Sequence, residues 1–353
     1  MRSYKKIISG VAIALSLPAL AWGQDAPTLE SLAANDAFVF NTLLFLLGGF
    51  LVMWMAAGFA MLESGFVRTK NVSMQCLKNI SLYSVAGLMF WVLGYQLMYG
   101  GGDYFGKFAI MSFASEDIAT GYSSYSDWFF QMVFCATTAS IVSGTVAERI
   151  KFWPFIIFTI FLTGLIYPIV GSWEWGGGFL DSKYNFSDFA GSTLVHSTGG
   201  WAALMGAIIL GARKGKYSED GKVNPIPGSN MPLATLGVFI LWLGWFGFNG
   251  ASQLAMGTIT DADAIAKIFV NTNMAAVAGV ITAVVYTQLR YRKIDLTMAL
   301  NGALAGLVAI TAEPLTPSVP AALLIGSIGS LLACLAVPLL DKFKIDDVVG
   351  AIP

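Results

Sequence analysis

Residues 189–211, FAGSTLVHSTGGWAALMGAIILG, form a stretch without Asp, Glu, Lys or Arg. A helix of about 20 apolar residues is long enough to cross a lipid bilayer. His196, the single histidine among 353 residues, lies within this stretch. A titratable side chain at such a depth is energetically costly, so we expect His196 to serve a pathway for protons or ions, with a structural role as the alternative.

The composition predicts a protein that crosses the membrane many times. Hydrophobic residues make up 56% of the chain and charged residues 12%, and the mean hydropathy is +0.69. Soluble domains contain about 25% charged residues. The net charge of −1 gives no indication of nucleic-acid binding.

Apolar runs of about 20 residues predict membrane spans, and the chain contains nine of them. They cover residues 38–62, 74–98, 128–147, 153–171, 189–211, 231–254, 268–289, 296–311 and 319–340. We therefore expect an all-α polytopic membrane protein.

The charges of the connecting segments predict the orientation. Every second connection is basic, and these connections carry 13 Lys and Arg residues against three in the others. Basic loops stay in the cytoplasm, which places the amino terminus outside. Residues 1–23 agree with this orientation because Arg2, Lys5 and Lys6 precede an apolar run and an Ala-x-Ala cleavage site at Ala19 and Ala21, the pattern of a signal peptide. A short uncleaved helix is the alternative.

The longest basic connection, residues 212–230, divides a membrane domain of residues 24–353 into halves of about 38–212 and 231–353. An odd number of spans in each half predicts inverted five-helix repeats around a central pore. Glycines concentrated in the spans indicate close helix packing.

The sequence lacks the side chains that an enzyme active site would need beside His196 and Ser197. No second histidine, cysteine pair or cluster of membrane carboxylates accompanies His196, so we predict no metal and no other cofactor. Ser197 has no base to form a triad, and no G-x-S-x-G turn is present. We therefore predict no catalytic residue.

Five blocks in order resemble the ammonium transporter (Amt/Rh) family. They are Ala57–Asn71 (AGFAMLESGFVRTKN), Gly144–Ile150 (GTVAERI), Trp175–Gly178 (WGGG), Asp188–His196 (DFAGSTLVH) and Gly244–Gly250 (GWFGFNG). The resemblance extends from about Phe38 to the end of the sequence. It implies an ammonium transporter assembled as a homotrimer in a lipid bilayer, here the inner (plasma) membrane of a bacterium, and a PII-type regulatory protein that binds the basic loop from Arg213 to Lys222. A solvated linker is the alternative for that loop.

The resemblance also implies a role for individual residues. Trp175 and Ser252 would recruit ammonium on the outer side together with Phe134, and Trp245 would help to shape that region. Phe134 and Phe248 would form the gate, with Phe130 beside it. His196 would line the pore and handle the proton, with Asp188 supporting the site.

Each of these residues also has an ordinary structural explanation. Phe130 and Phe134 have the spacing of simple helix packing, and Trp175 could belong to the aromatic belt at the membrane surface. Ser252 could bond to its own helix backbone. Asp188 could cap the start of the helix that carries His196.

The family also carries a second pore histidine on a tenth span, directly after a motif like Asp346–Pro353. The sequence stops at this motif, so we expect it to be part of a longer protein, with a naturally shortened, non-conducting relative as the alternative. Two other functions stay open: an ammonium sensor coupled to a cytoplasmic output domain, and a channel for another small solute.

Overall fold

A computed structural model describes residues 28–113 and 118–353. The proposed signal peptide, residues 1–23, lies outside the described residues. The described chain is helical, and its one β-type pairing is an isolated bridge between Tyr217 and Val223. The helices are α1 (Leu29–Phe66), α2 (Thr69–Tyr99), α3 (Ser124–Thr145), α4 (Phe152–Ser172), α5 (Phe179–Tyr184), α6 (Ser192–Leu210), α7 (Met231–Ala251), α8 (Ile259–Tyr291), α9 (Leu296–Thr311) and α10 (Val319–Lys342).

Each of the nine predicted spans coincides with one of these helices, α5 being the short additional one. Within the described part of the chain, seven helices are long and apolar enough to cross a membrane. Helix α9 has 16 residues, and α3 is long enough but carries many polar side chains. Most of α3 is buried against other helices, where polar groups find protein partners instead of lipid.

Helices α1 and α7, which open the two predicted halves, pack along each other at very short range. A Cβ atom on Gly237 of α7 would lie 2.4 Å from the backbone nitrogen of Leu62 and 2.7 Å from the carbonyl oxygen of Gly58 on α1. Small residues permit this backbone approach, which is how membrane helices associate without a hydrophobic driving force. The second half continues with α8, α9 and α10 packed against one another.

Three of the helices contain wider, π-helical turns, at Phe90–Gly94 in α2, at Leu162–Ile166 in α4 and at Ser192–Ser197 in α6. The first two turns pack against each other, and the Cys135 thiol of α3 lies 3.4 Å from the carbonyl oxygen of Thr163. The third turn contains His196. Such turns are frequent at functional sites because they redirect side chains.

The basic loops meet at one end of the helix bundle. Glu148 accepts hydrogen bonds from Arg68 and Asn71 and pairs with Arg213, which also pairs with Asp346 at 2.8 Å. Burial disfavours ionisation of Glu148, but these hydrogen bonds and the charge of Arg213 outweigh it and lower the pKa to about 2. Arg213 is therefore a buried structural residue, and it does not belong to an exposed linker.

We expect Gly237→Ala to destabilise the protein by about 2 kcal/mol, because the added methyl group overpacks the contact between α1 and α7. Gly87→Ala is the matched control, since the nearest atom to its Cβ would be the Met132 sulfur at 3.7 Å. The thermal midpoint of the solubilised protein measures the difference. Equal midpoints for the two variants would contradict the packing argument.

Candidate functional site

Two cavities lie on opposite sides of a pair of phenylalanine rings. The outer cavity, about 380 Å³, is lined by the predicted recruitment residues Trp175, Ser252 and Phe134, together with Phe130. The inner cavity, about 510 Å³, is lined by His196 and Trp245 and reaches residues 349–353. The structure therefore brings the predicted site residues into one region. Most of them line one of the two cavities, whereas Phe248 and Asp188 line neither.

Phe134 of α3 and Phe248 of α7 stack between the compartments. Their ring centroids are 4.0 Å apart with an interplanar angle of 27°, and both side chains are buried. On the outer side, the ring centroids of Phe130 and Trp175 lie 4.8 and 6.0 Å from that of Phe134, both in edge-to-face geometry. This is tight offset packing of aromatic rings, so the pair must separate or tilt for a solute to pass.

His196 lies directly inside the stacked pair. Its ring stacks on Trp245 at 5.0 Å with an angle of 14° and contacts Phe248 at 5.3 Å. Its Nε2 atom is buried and has no hydrogen-bond partner in the described part of the chain. A buried polar atom without a partner is costly, so this nitrogen is available for a small hydrogen-bonding solute.

Trp245 is not placed at the outer recruitment region, where the family resemblance had put it. Its indole Nε1 donates to Thr311 Oγ1 at 2.8 Å, and Thr311 in turn donates to Asn249. These bonds fix the indole below the gate against His196, which is why it lines the inner cavity. The seven-residue motif Gly244–Gly250 could not indicate this depth.

Asp188 caps the helix that carries His196. Its carboxylate accepts four backbone N–H bonds, from Gly191 (3.0 Å), Ser192 (2.9 Å), Thr193 (2.7 Å) and Leu194 (2.8 Å). Burial raises the pKa of this carboxyl group, although the four bonds favour its charged form. The side chain lines neither cavity, so a direct role in the pore or in proton handling has no geometric basis here.

Asp188 also holds the outer tryptophan, because its carbonyl oxygen accepts the Trp175 indole N–H at 2.8 Å. Ser252 donates its hydroxyl proton to the Phe248 carbonyl oxygen at 2.7 Å. A hydroxyl oxygen that donates in this way keeps lone pairs that can accept an N–H bond from a ligand. The structural explanation for Ser252 is therefore compatible with a binding role.

A buried polar cluster on the inner side was missed by the sequence analysis. Glu63 lines the inner cavity and accepts a hydrogen bond from the Ser143 hydroxyl at 2.8 Å, while Lys78 donates to the Ser143 carbonyl oxygen at 2.8 Å. Arg68, the base nearest to Glu63 in sequence, pairs with Glu148 at 2.8 Å and not with Glu63. The available signal was Lys78, the single lysine within a predicted span.

Comparisons with known proteins agree on one family. The profile of the Ammonium Transporter Family matches residues 43–353. Ammonium transporter Amt2 of Archaeoglobus fulgidus is 43% identical over 352 residues, covering 97% of this chain and 74% of that protein. Ammonium transporter Amt2 of Methanocaldococcus jannaschii is 37% identical over 310 residues, covering 86% of this chain and 70% of that protein.

Solved structures give the same result. A sensor Amt protein superposes with a TM-score of 0.83 at 38% identity, covering 92% of this chain and 80% of that chain. Mep2 of Candida albicans superposes with a TM-score of 0.80 at 26% identity, covering 92% and 72%.

The helices define a multi-pass membrane protein, and a stacked aromatic pair lies between two cavities within it. The chain belongs to the ammonium transporter family. The family is one of transporters and not of enzymes.

Glu174, in the outer loop after α4, should make stability depend on pH. Its Oε1 accepts the Asp188 backbone N–H at 3.3 Å, while Oε2 is buried without a partner among the described residues. Burial, followed by the charges of Asp188 and Asp181, raises the pKa of Glu174 to about 8.

Between these two pKa values, Glu174 is protonated in the folded protein and ionised in the unfolded chain, where its pKa is about 4.5. The free energy of unfolding should therefore fall as the pH rises from about 5 to 8. Glu174→Gln keeps the acceptor oxygen and removes the titration. We expect the wild-type thermal midpoint to fall relative to that of the variant over this range. Parallel pH profiles for the two proteins would refute the assignment.

Proposed function

We propose that this protein transports ammonium by recruiting the cation in the outer cavity, removing its proton near Phe134 and Phe248, and passing ammonia into the inner cavity along His196. The observation that carries the proposal is the stacked pair itself. An aromatic cavity and a hydroxyl lie outside it, and inside it lies His196 Nε2, which has no hydrogen-bond partner among the described residues. Trp175, Ser252 and Phe134 form the binding region, and Phe130 flanks the gate.

The energetics favour this sequence of steps. The face of an indole ring attracts a small cation by about 0.5–2 kcal/mol, which concentrates the ion without trapping it. A charged ion in an apolar bore costs several kcal/mol or more, whereas neutral ammonia passes at much lower cost. Potassium and sodium cannot lose their charge in this way, so selectivity follows from acid–base chemistry as well as from pore width.

In this proposal His196 forms a hydrogen bond with ammonia and carries the proton that ammonium releases. The stacking against Trp245 fixes the plane of the imidazole, and Asp188 fixes the start of its helix. In this proposal Asp188 acts by positioning His196 and Trp175 and not by contact with the cargo.

The membrane, the orientation, the assembly and the regulatory partner are proposed from the family resemblance and the charge pattern. We place the amino terminus outside a bacterial plasma membrane, after a signal peptide of residues 1–23, with the domain organised as two inverted halves and assembled as a homotrimer. A PII-type partner on the inner face remains part of the proposal. Its contact would involve the exposed Lys214 and Lys222, because Arg213 is engaged with Glu148 and Asp346.

An ammonium sensor is the second candidate, and the 38% identity to a structure described as a sensor Amt protein is the observation that favours it. A sensor would use the same outer binding region without steady transport. The following experiment separates the two functions.

Purified protein in vesicles should carry ammonium or methylammonium down a concentration gradient while excluding potassium, because potassium has no neutral form that can cross the apolar path. Internal pH and potassium-sensitive dyes measure both fluxes. Equal permeation of potassium would exclude the proposed mechanism. Binding of methylammonium without flux would favour the sensor.

Trp175→Ala should raise the methylammonium concentration for half-maximal uptake by about 3- to 30-fold, corresponding to the loss of one cation–π contact. Trp153→Ala is the matched control, because that indole is exposed on α4 outside both cavities. Uptake assays in cells without other ammonium transporters, normalised to the amount of protein in the membrane, measure the effect. Identical behaviour of the two variants would remove Trp175 from the recruitment site.

A further inference from the structure

The outer cavity has a second wall that the proposed recruitment site does not use. It is formed by side chains at the end of α2, in the segment before α3 and in the first two turns of α3. These residues are Tyr95, Tyr99, Tyr122, Asp127 and Gln131. Aromatic rings and one carboxylate thus face the same space as Trp175 and Ser252.

Asp127 is the only carboxylate among the described residues that line this cavity. It lies in the first turn of α3, is 9% exposed and accepts a hydrogen bond from the Tyr95 hydroxyl of α2. A hydrogen bond donated to a carboxylate favours its charged form. Burial raises the pKa of this carboxyl group, and the hydrogen bonds from Tyr95 and Gln131 act in the opposite direction. The wall therefore holds one carboxyl group that is shielded from bulk water.

The rings of this cavity wall pack in two groups. Tyr95 and Tyr99 lie 5.1 Å apart, Tyr122 lies 4.8 Å from Phe45, and Phe45 stacks on Phe130 at 5.3 Å. Several ring faces around one carboxylate are the features that proteins use to bind ammonium-type cations, including methylated ones. The rings attract the cation, and the carboxylate adds a charge-assisted hydrogen bond.

Two other acidic groups near the outer cavity, Asp188 and Glu174, are not available for this role. The Asp188 carboxylate is occupied by four backbone N–H groups and lies outside the cavity lining. Glu174 also lies outside the lining, and its pKa of about 8 leaves it mostly protonated at neutral pH. Of these three carboxyl groups, Asp127 is the one that lines the outer cavity.

We propose that Asp127, together with Tyr95, Tyr99 and Tyr122, forms a second cation subsite in the outer cavity that binds ammonium and small alkylammonium ions before they reach Trp175. This inference rests on the proposed function. The subsite concentrates cations without requiring them to lose a proton, so it also accepts cations that cannot pass the gate. Discrimination follows later, at Phe134 and Phe248.

The first test compares two isosteric substitutions. Asp127→Asn should raise the half-saturating methylammonium concentration by about tenfold and leave the maximal rate within about twofold, because the subsite acts in binding and not in passage. Asp103→Asn is the control, since Asp103 is an exposed carboxylate paired with Lys183 at 2.7 Å outside the cavity. Asp127→Glu, which restores the charge, should recover most of the affinity.

The second test uses tetramethylammonium, which has no proton to lose. It should inhibit methylammonium uptake competitively in the wild type, and Asp127→Asn should raise the inhibitory concentration by about tenfold. The control Asp103→Asn should leave this concentration unchanged.

The outcomes separate the two proposals. If Asp127→Asn leaves both the half-saturating and the inhibitory concentrations within twofold of wild type, the subsite is refuted, whereas a normal effect of Trp175→Ala keeps the proposed function intact. If Asp127→Asn does not assemble, as seen by size-exclusion chromatography, the wild type decides: absence of tetramethylammonium inhibition overturns the subsite, and competitive inhibition lost in Tyr122→Leu supports it.

Discussion

The structure depends on the hydrogen bonds that the Asp188 carboxylate accepts at the start of α6. Four backbone N–H groups that would otherwise be unsatisfied within the membrane domain are bound by one side chain, and the carbonyl oxygen of the same residue holds the Trp175 indole. The π-helical turn that follows then sets the direction of His196. One residue therefore fixes the outer tryptophan and the inner histidine relative to the gate, although it touches neither cavity.

This arrangement solves a conflict between burial and polarity. In the proposed mechanism, a path for ammonia must be apolar enough to exclude ions, yet it must offer a hydrogen-bond partner inside. The stacked rings of Phe134 and Phe248 would then provide the apolar barrier, and His196 Nε2, which has no partner among the described residues, would provide the polar contact. The cost of leaving that nitrogen unpaired is about 1–3 kcal/mol, which rigid packing against Trp245 can sustain.

Much of the fold could be predicted because hydropathy depends on local sequence. Every predicted span corresponds to a helix, and α3 was identified despite its polar side chains. The positions of single side chains were harder to predict, because they depend on contacts far apart in the chain. In the sequence Arg213 belongs to a basic loop, but in the structure it is buried and pairs with Glu148 and Asp346. Trp245 was placed too far out because sequence does not give depth, and Lys78 gains its partner only through the packing of α2 on α3.

The contrast between Asp127 and Asp188 shows why the number of acidic residues at a membrane entrance says little about cation binding. Both are buried carboxylates at the outer ends of helices, and both accept hydrogen bonds. The Asp188 carboxylate accepts its hydrogen bonds from backbone N–H groups that are fixed in place. A cation would therefore have to displace bonds that hold the start of α6. Asp127 bonds to the hydroxyl of a side chain that lines the same cavity, and this hydroxyl can rotate when a cation arrives. The partner of each carboxylate, more than its charge or burial, therefore determines whether it can serve a ligand.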